Sequence, residues 1–224
     1  MPREKIDPYF SLVALLIRPS KRPDGELVFR DLSKNKAVLS TFGDAKISTA
    51  RTEFRDSTIL MDGAGDYITA PNSSAYPPGA GDFTVETIQY STDAGASQRC
   101  FMDVRANSTS GTGFFLREDS NGFIFGKASS AIVSTASGRI ANKIQHIAVS
   151  RTASVFYMHV DGALKASVTD AQQFLDQNML ISGFCNNVAS PFTFLGNIGQ
   201  YRYTVGIGRY GSADFTPPSY FPLR

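Results

Sequence analysis

Residues 144–165, IQHIAVSRTASVFYMHVDGALK, decide the fold class. In an extended chain Ile144, His146 and Ala148 share one side, and Gln145, Ile147 and Val149 the other. Further on, Phe156, Met158 and Val160 alternate with Val155, Tyr157 and His159. A period of two over short segments marks strands. Asp161-Gly162 adds a two-residue hairpin turn whose central positions both need positive φ. The stretch therefore predicts a three-stranded meander. Such a meander is not stable alone in water, so the rest of the chain must supply a second sheet to cover it.

Working outward, residues 12–17, 26–32, 37–41, 59–61, 67–70, 83–91, 99–105, 113–117, 122–127 and 131–135 read as strands. Residues 179–184 and 197–204 follow the meander in the same way. Asp62-Gly63-Ala64-Gly65-Asp66 reads as the turn of a hairpin, and residues 171–177 as one helical turn. Turn signals recur roughly every 8–12 residues, and no amphipathic helix of useful length intervenes. We therefore expect an all-β chain, an antiparallel two-sheet β-sandwich of jelly-roll type. At 224 residues it fits one domain. The sandwich should occupy residues 11–212, with an N-terminal arm at 1–10 and a Pro/aromatic C-terminal arm at 213–224.

Composition narrows the function. A net charge of +2 with interspersed signs leaves no basic footprint for nucleic acid. Arg3 and Lys5 precede the apolar run 12–17, but that run is too short for a secretory leader. No apolar run approaches the roughly 20 residues of a membrane span. Cys100 and Cys185 could pair, although their spacing does not require it. Buried free thiols in a protein assembled in reducing cytoplasm are the reading we adopt.

Each chemical motif has a plainer explanation beside it. Residues 206–211, GIGRYG, match G-x-G-x-x-G, but Pro217 and Pro218 follow and no helix can begin, so they read as loop. Asp62 and Asp66 are weak candidates for Ca²⁺; turn chemistry accounts for acids at both ends of such a loop. His146 and His159 lack a third metal ligand at a suitable spacing, and His146 reads as an imidazole bonded to a neighbouring strand. Glycoside hydrolysis needs two facing carboxylates. Glu86 is the sole acid on its strand and Glu118-Asp119 falls in a turn, so no catalytic pair emerges. Aromatic residues crowd the C-terminal third. Tyr201, Tyr203 and Tyr210 are the candidate glycan-stacking rings, against the competing expectation that such rings pack in the core.

Several stretches together resemble the concanavalin A-like, laminin-G-type sandwich domains of bacteriophage virion proteins. They are DPYFS (7–11), AKISTARTEF (45–54), MDGAGDYI (61–68), GDFTVE (81–86), HIAVSR (146–151) with VDG (160–162), and GRY (208–210) with FTPP (215–218). Their order spans nearly the whole chain. Ile144 stands where relatives carry Trp, Gly199 and Gln200 where they carry acids, and residues 18–25 are unusually basic. The resemblance implies a non-enzymatic virion protein that decorates or cements a capsid, or forms a short appendage. It further implies other virion proteins as partners and a homo-oligomer, with a trimer favoured. The alternative is a host-surface glycan-binding adhesion module of the tail, and a third reading is a glycoside hydrolase. Ordering both arms costs roughly 1–2 kcal/mol per residue. We therefore expect Tyr9, Phe10, Tyr220 and Phe221 to anchor an arm on a neighbouring subunit or the particle shell.

Overall fold

The computed structural model describes residues 6–54, 56–95, 98–120, 122–183 and 192–222. Its strands are β1 (Val13–Ile17), β2 (Ser40–Phe42), β3 (Lys46–Ser48), β4 (Thr58–Asp62), β5 (Tyr67–Ala70), β6 (Phe83–Ser91), β7 (Arg99–Asp103) and β8 (Phe115–Glu118). They continue as β9 (Phe123–Lys127), β10 (Ser130–Ser134), β11 (Ile144–Thr152), β12 (Val155–Val160), β13 (Ala163–Thr169), β14 (Met179–Ile181) and β15 (Leu195–Val205). A 3₁₀ turn at Phe10–Leu12 is the sole helical element among the described residues, and no helix there is long and apolar enough to cross a membrane.

The predicted meander is β11–β12–β13. Ala153 and Ser154 turn the first hairpin at φ 49° and 67°, and Asp161 and Gly162 the second at 52° and 79°. The eight-stranded sheet runs β13-β12-β11-β6-β15-β4-β3, with β1 beside β15. The long β15 pairs with β6 from Gly196 to Val205, while β4 and then β1 share its other side. The seven-stranded sheet runs β10-β9-β8-β7-β14-β5-β2. Every pairing between these strands is antiparallel, which is the expected two-sheet sandwich.

Between the sheets lies a core rich in phenylalanine. Phe83 stacks on Phe114 at 5.3 Å and meets Phe125, Phe156, Phe174 and Tyr203 within 6.3 Å. Arg151 is buried beside these rings, with its guanidinium over Phe83, Phe156 and Phe174. It donates to the carbonyls of Gly79, Gly81 and Gln172 and so ties two loops to the end of the core. That tie, together with paired bonds between Gly79 and Phe174, holds residues 171–177 extended where one helical turn was expected.

Three other expectations change. Residues 26–32 form a loop, because the Asp31 carboxylate accepts the N–H groups of Leu16, Ser33 and Ala37 and draws the chain inward. Asp62–Asp66 is not a hairpin turn: β4 belongs to the larger sheet and β5 to the smaller, so this corner carries the chain between layers. The described parts of both terminal segments pack on the sandwich rather than standing off it. Asp7, Phe10, Phe221 and the loop between residues 206 and 222 lie on the outer face of the larger sheet. There Val13, Leu16, Ile88 and Phe221 form a second apolar cluster, with Phe10 and Phe54 packed against it. A single sandwich does therefore offer surface for its own termini. Residues 1–5, Phe184 and Cys185 lie outside the described residues, and with them the question of a Cys100–Cys185 pair.

Candidate functional site

Alternation along β6 sends Phe83 and Val85 into the core and turns Thr84, Glu86 and Ile88 outward. On that outer face Glu86 is the centre of a closed polar network. His146 Nε2 lies 2.9 Å from Glu86 Oε2, Arg202 Nε donates to Oε1 at 2.8 Å, and Tyr210 Oη–H donates to Oε2 at 2.9 Å. Arg202 also reaches Asp7 at 3.0 Å, and Arg209 holds both Asp7 oxygens at 2.8–2.9 Å. Burial pushes the Glu86 carboxyl up, but Arg202, with His146 and Arg209, outweighs it and holds the group at about 2. The Tyr210 ring stacks on Phe215 at 3.9 Å, and His146 and His159 meet Phe215 edge-on. Phe221 caps the network beneath the Arg202 guanidinium, 4.4 Å from the ring centre. His146 is thus bonded to a neighbouring strand, as its sequence context predicts. Glu86 has no open side.

This arrangement corrects the candidate glycan-stacking set. Tyr201 and Tyr203 are 0% exposed, because the alternation that turns Arg202 outward turns them inward; a ring in the core cannot pack on a sugar. Tyr210 is half-buried, with its hydroxyl and one ring face already occupied. The proposed anchors have contacts within their own chain. Phe221 is buried in its own chain, Phe10 is half-buried against the same cluster, and Tyr220 lies under Arg18 at 4.9 Å. Tyr9, under Arg209, is 40% exposed.

The acidic corner is a turn device. Asp66 Oδ1 accepts the N–H of Asp44 at 2.7 Å and Oδ2 that of Asp62 at 2.8 Å, while Asp62 Oδ1 accepts Ala64 N–H at 2.7 Å. Asp44, Asp62 and Asp66 bring carboxylate oxygens within 4.8 Å of one another. Three of their six oxygens already serve backbone donors, and Ca²⁺ takes six to eight. Glu118 is not in a turn: it ends β8, buried, bonded by Ser91 Oγ at 2.6 Å and paired with Arg139 at 3.1 Å. Residues 206–211 form a loop whose N–H groups meet Thr84 and Ser150 hydroxyls. Cys100 is buried, and burial raises its thiol.

The outer face of the smaller sheet is built differently. Cross-strand partners project to one side, and a single row runs Ser40–Thr69–Leu180–Asp103–Phe115–Gly126. At one end Phe115 lies flat over Gly126, where a Cβ would come within 2.7 Å of its ring, and Arg105 and Arg117 cover it. At the other end the face is more open, with Ser40 and Phe42 exposed and Tyr67 and Thr69 half-buried. Phe42 and Tyr67, direct partners there, stack at 4.4 Å and 7°, and Phe42 is 42% exposed. Two residues along β5, about 7 Å away, Thr69 borders a hollow of about 170 Å³. Its floor is the Asp103–Arg105 ion pair at 2.7 Å, and Asn72 and Asn178 stand at its rim. A flat aromatic pair beside amides, a hydroxyl and an ion pair can accept a ligand with one apolar face and several hydroxyls. Sequence reading missed this group. Tyr67 alternates with buried Ile68 and could have been placed outward, whereas Phe42 ends a three-residue strand with too little periodicity to orient it.

A family model described as the concanavalin A-like lectin/glucanases superfamily (Laminin_G_3) matches residues 62–203. The fold is similar to the binding domain of Paraclostridial Mosquitocidal Protein 1, with TM-score 0.66, 10% identity, and coverage of 90% of this chain and 50% of that one. The botulinum neurotoxin serotype D binding domain gives 0.63 and 14%, covering 90% and 49%. The binding domain of botulinum neurotoxin DC in complex with SialylT gives 0.57 and 11%, covering 89% and 49%. At these identities the likeness shows the fold alone, and the chain spans about half the length of each relative. No curated protein matches the chain.

Proposed function

The chain belongs to the concanavalin A-like lectin/glucanases superfamily, and from that premise we propose that it is a non-catalytic glycan-binding module. The sugar lies on the outer face of the seven-stranded sheet, with its C–H face on the Phe42–Tyr67 stack and its hydroxyls toward Asn72, Asn178 and Thr69. The observation that carries this reading is a stacked ring pair, Phe42 exposed and Tyr67 half-buried, beside a polar hollow on the outer face that the described terminal segments do not occupy. A catalytic reading would need an accessible acid pair, and Glu86 and Glu118 are both enclosed by cationic partners. Relatives whose printed descriptions are binding domains agree with a module that binds without turnover.

Screening the protein on immobilised host-surface glycans, then titrating a hit by calorimetry, tests this. Tyr67→Ala should weaken binding at least tenfold with the fold retained, and Tyr210→Phe should leave it unchanged. Retention of full affinity by both Tyr67→Ala and Phe42→Ala would move the sugar elsewhere. Placing the module on a phage tail rests on the ordered sequence motifs; antibody-gold labelling of purified particles tests that placement. A trimer would add avidity to a weak single site, and sedimentation equilibrium reads that state directly.

A further inference from the structure

A second cavity, of about 310 Å³, opens where residues 18–32 fold back beside β1 and β3. Its floor is apolar: Ile17, Phe29 and Ile47 are buried core residues that reach it from inside the sandwich. Its rim is cationic, with Arg18, Arg22 and Arg30. Two of these guanidiniums have acids within the fold. Arg18 pairs with Asp56 at 3.1 Å, and Arg22 pairs with Glu26. Arg30 is exposed and makes no hydrogen bond or ion pair among the described residues. Its neighbour Asp31 is turned inward onto the N–H groups of Leu16, Ser33 and Ala37. Three cations against two acids leave one positive charge at the mouth of an apolar pocket sized for a single ring.

We infer that this cavity is a binding site for an acidic monosaccharide, with the carboxylate on Arg30 and the C–H face of the ring over Phe29 and Ile17. A guanidinium offers a planar fork of donors that matches a carboxylate. Phe29 and Ile17 supply the apolar contact for the ring, and Arg30 supplies the charge. The volume lies at the lower end of small-molecule sites, which excludes a chain of sugars and admits one residue or a terminal one. The site is separate from the Phe42–Tyr67 face and does not depend on it.

Backbone amide shifts of the full chain, followed by NMR during titration with D-glucuronate, its methyl ester and octanoate, test the assignment. Glucuronate should shift Val28, Phe29 and Arg30, and weaken as salt rises. The neutral ester should bind at least tenfold more weakly. Arg30→Ala should lose binding by a similar factor while keeping its melting temperature, and Arg30→Lys should keep part of it. Shifts confined to Phe42 and Tyr67 would support the sheet-face site and overturn this one. Equal binding of acid and ester, or full binding by Arg30→Ala, would also overturn it. Octanoate binding here in preference to glucuronate would replace the sugar with an aliphatic acid.

Discussion

Glu86 shows how one residue joins the two ends of the chain. It sits mid-strand on β6, yet through Arg202 and Arg209 it is linked to Asp7 near one terminus, and directly to Tyr210 near the other. Its carboxyl, held at about 2 against an ordinary 4.5, stabilises the fold fully above 4.5; that contribution is lost as pH falls from 4.5 toward 2. His159 acts at higher pH with the same sign. Burial lowers its pKa from 6.5, so below 6.5 the unfolded chain takes up a proton that the folded one resists. Urea midpoints should therefore fall from pH 7.5 to 5.5 and fall again below 4.5. His159→Gln should flatten the first limb and spare the second; an unchanged first limb in that variant would remove His159 as its cause. Glu86→Gln should cost about 3–5 kcal/mol at pH 7, since it leaves Arg202 buried beside a neutral partner.

Elements were legible where both faces gave a signal. β6 matches its sequence bounds because Phe83 and Val85 face one apolar layer while Ile88 faces a second under the terminal segments. β11 and β12 were equally clear. β2 and β3, three residues each, are too short for a period to register, and their pairing is set by the partners β5 and β4. The corner at Asp62–Asp66 reads as a turn, but which sheet each limb joins is a non-local fact that no local pattern encodes. The turn at Asp161-Gly162 was readable to the conformation, yet its tertiary partner was not. Phe215 donates its N–H to the Gly162 carbonyl at 3.0 Å, and a Cβ on Gly162 would collide with the Phe215 carbonyl. Gly162→Val should thus cost more than the roughly 1–3 kcal/mol of turn strain, because it also lifts the segment carrying Phe215. Chemical denaturation should give about 3–5 kcal/mol; a loss confined to about 1 kcal/mol would mean that Phe215 does not hold that position.

At the scale of the whole molecule, the sandwich has one outer face closed by its own termini and one left partly open. The sequence suggested the opposite use of those termini, because Pro and aromatic residues without strand pattern read as free arms. What could not be read was the second apolar cluster, since Val13, Leu16 and Ile88 come from three strands whose outward residues meet only after the sheet forms. Ordering the N-terminal segment is offset within one chain. Asp7 accepts charge-assisted bonds from Arg202 and Arg209; burial pushes its carboxyl up, but the bond and charge of Arg209, with the Tyr9 N–H and Arg202, together hold its pKa low. Phe10 adds apolar contact beside Phe221. Deleting residues 1–8 removes Asp7 and leaves two guanidiniums over Glu86 alone, so the truncated chain should lose about 2–4 kcal/mol. Its oligomeric state should not change, because Asp7 in this segment bonds to its own sheet. Denaturant titration and sedimentation equilibrium on the same sample separate the two effects. A truncated chain that keeps full stability but changes its assembly would return the segment to a neighbouring subunit. Lost stability with unchanged assembly would fix it as the clasp of a single sandwich, leaving the open sheet face and the arginine-rimmed cavity as the surfaces through which the molecule meets its ligands.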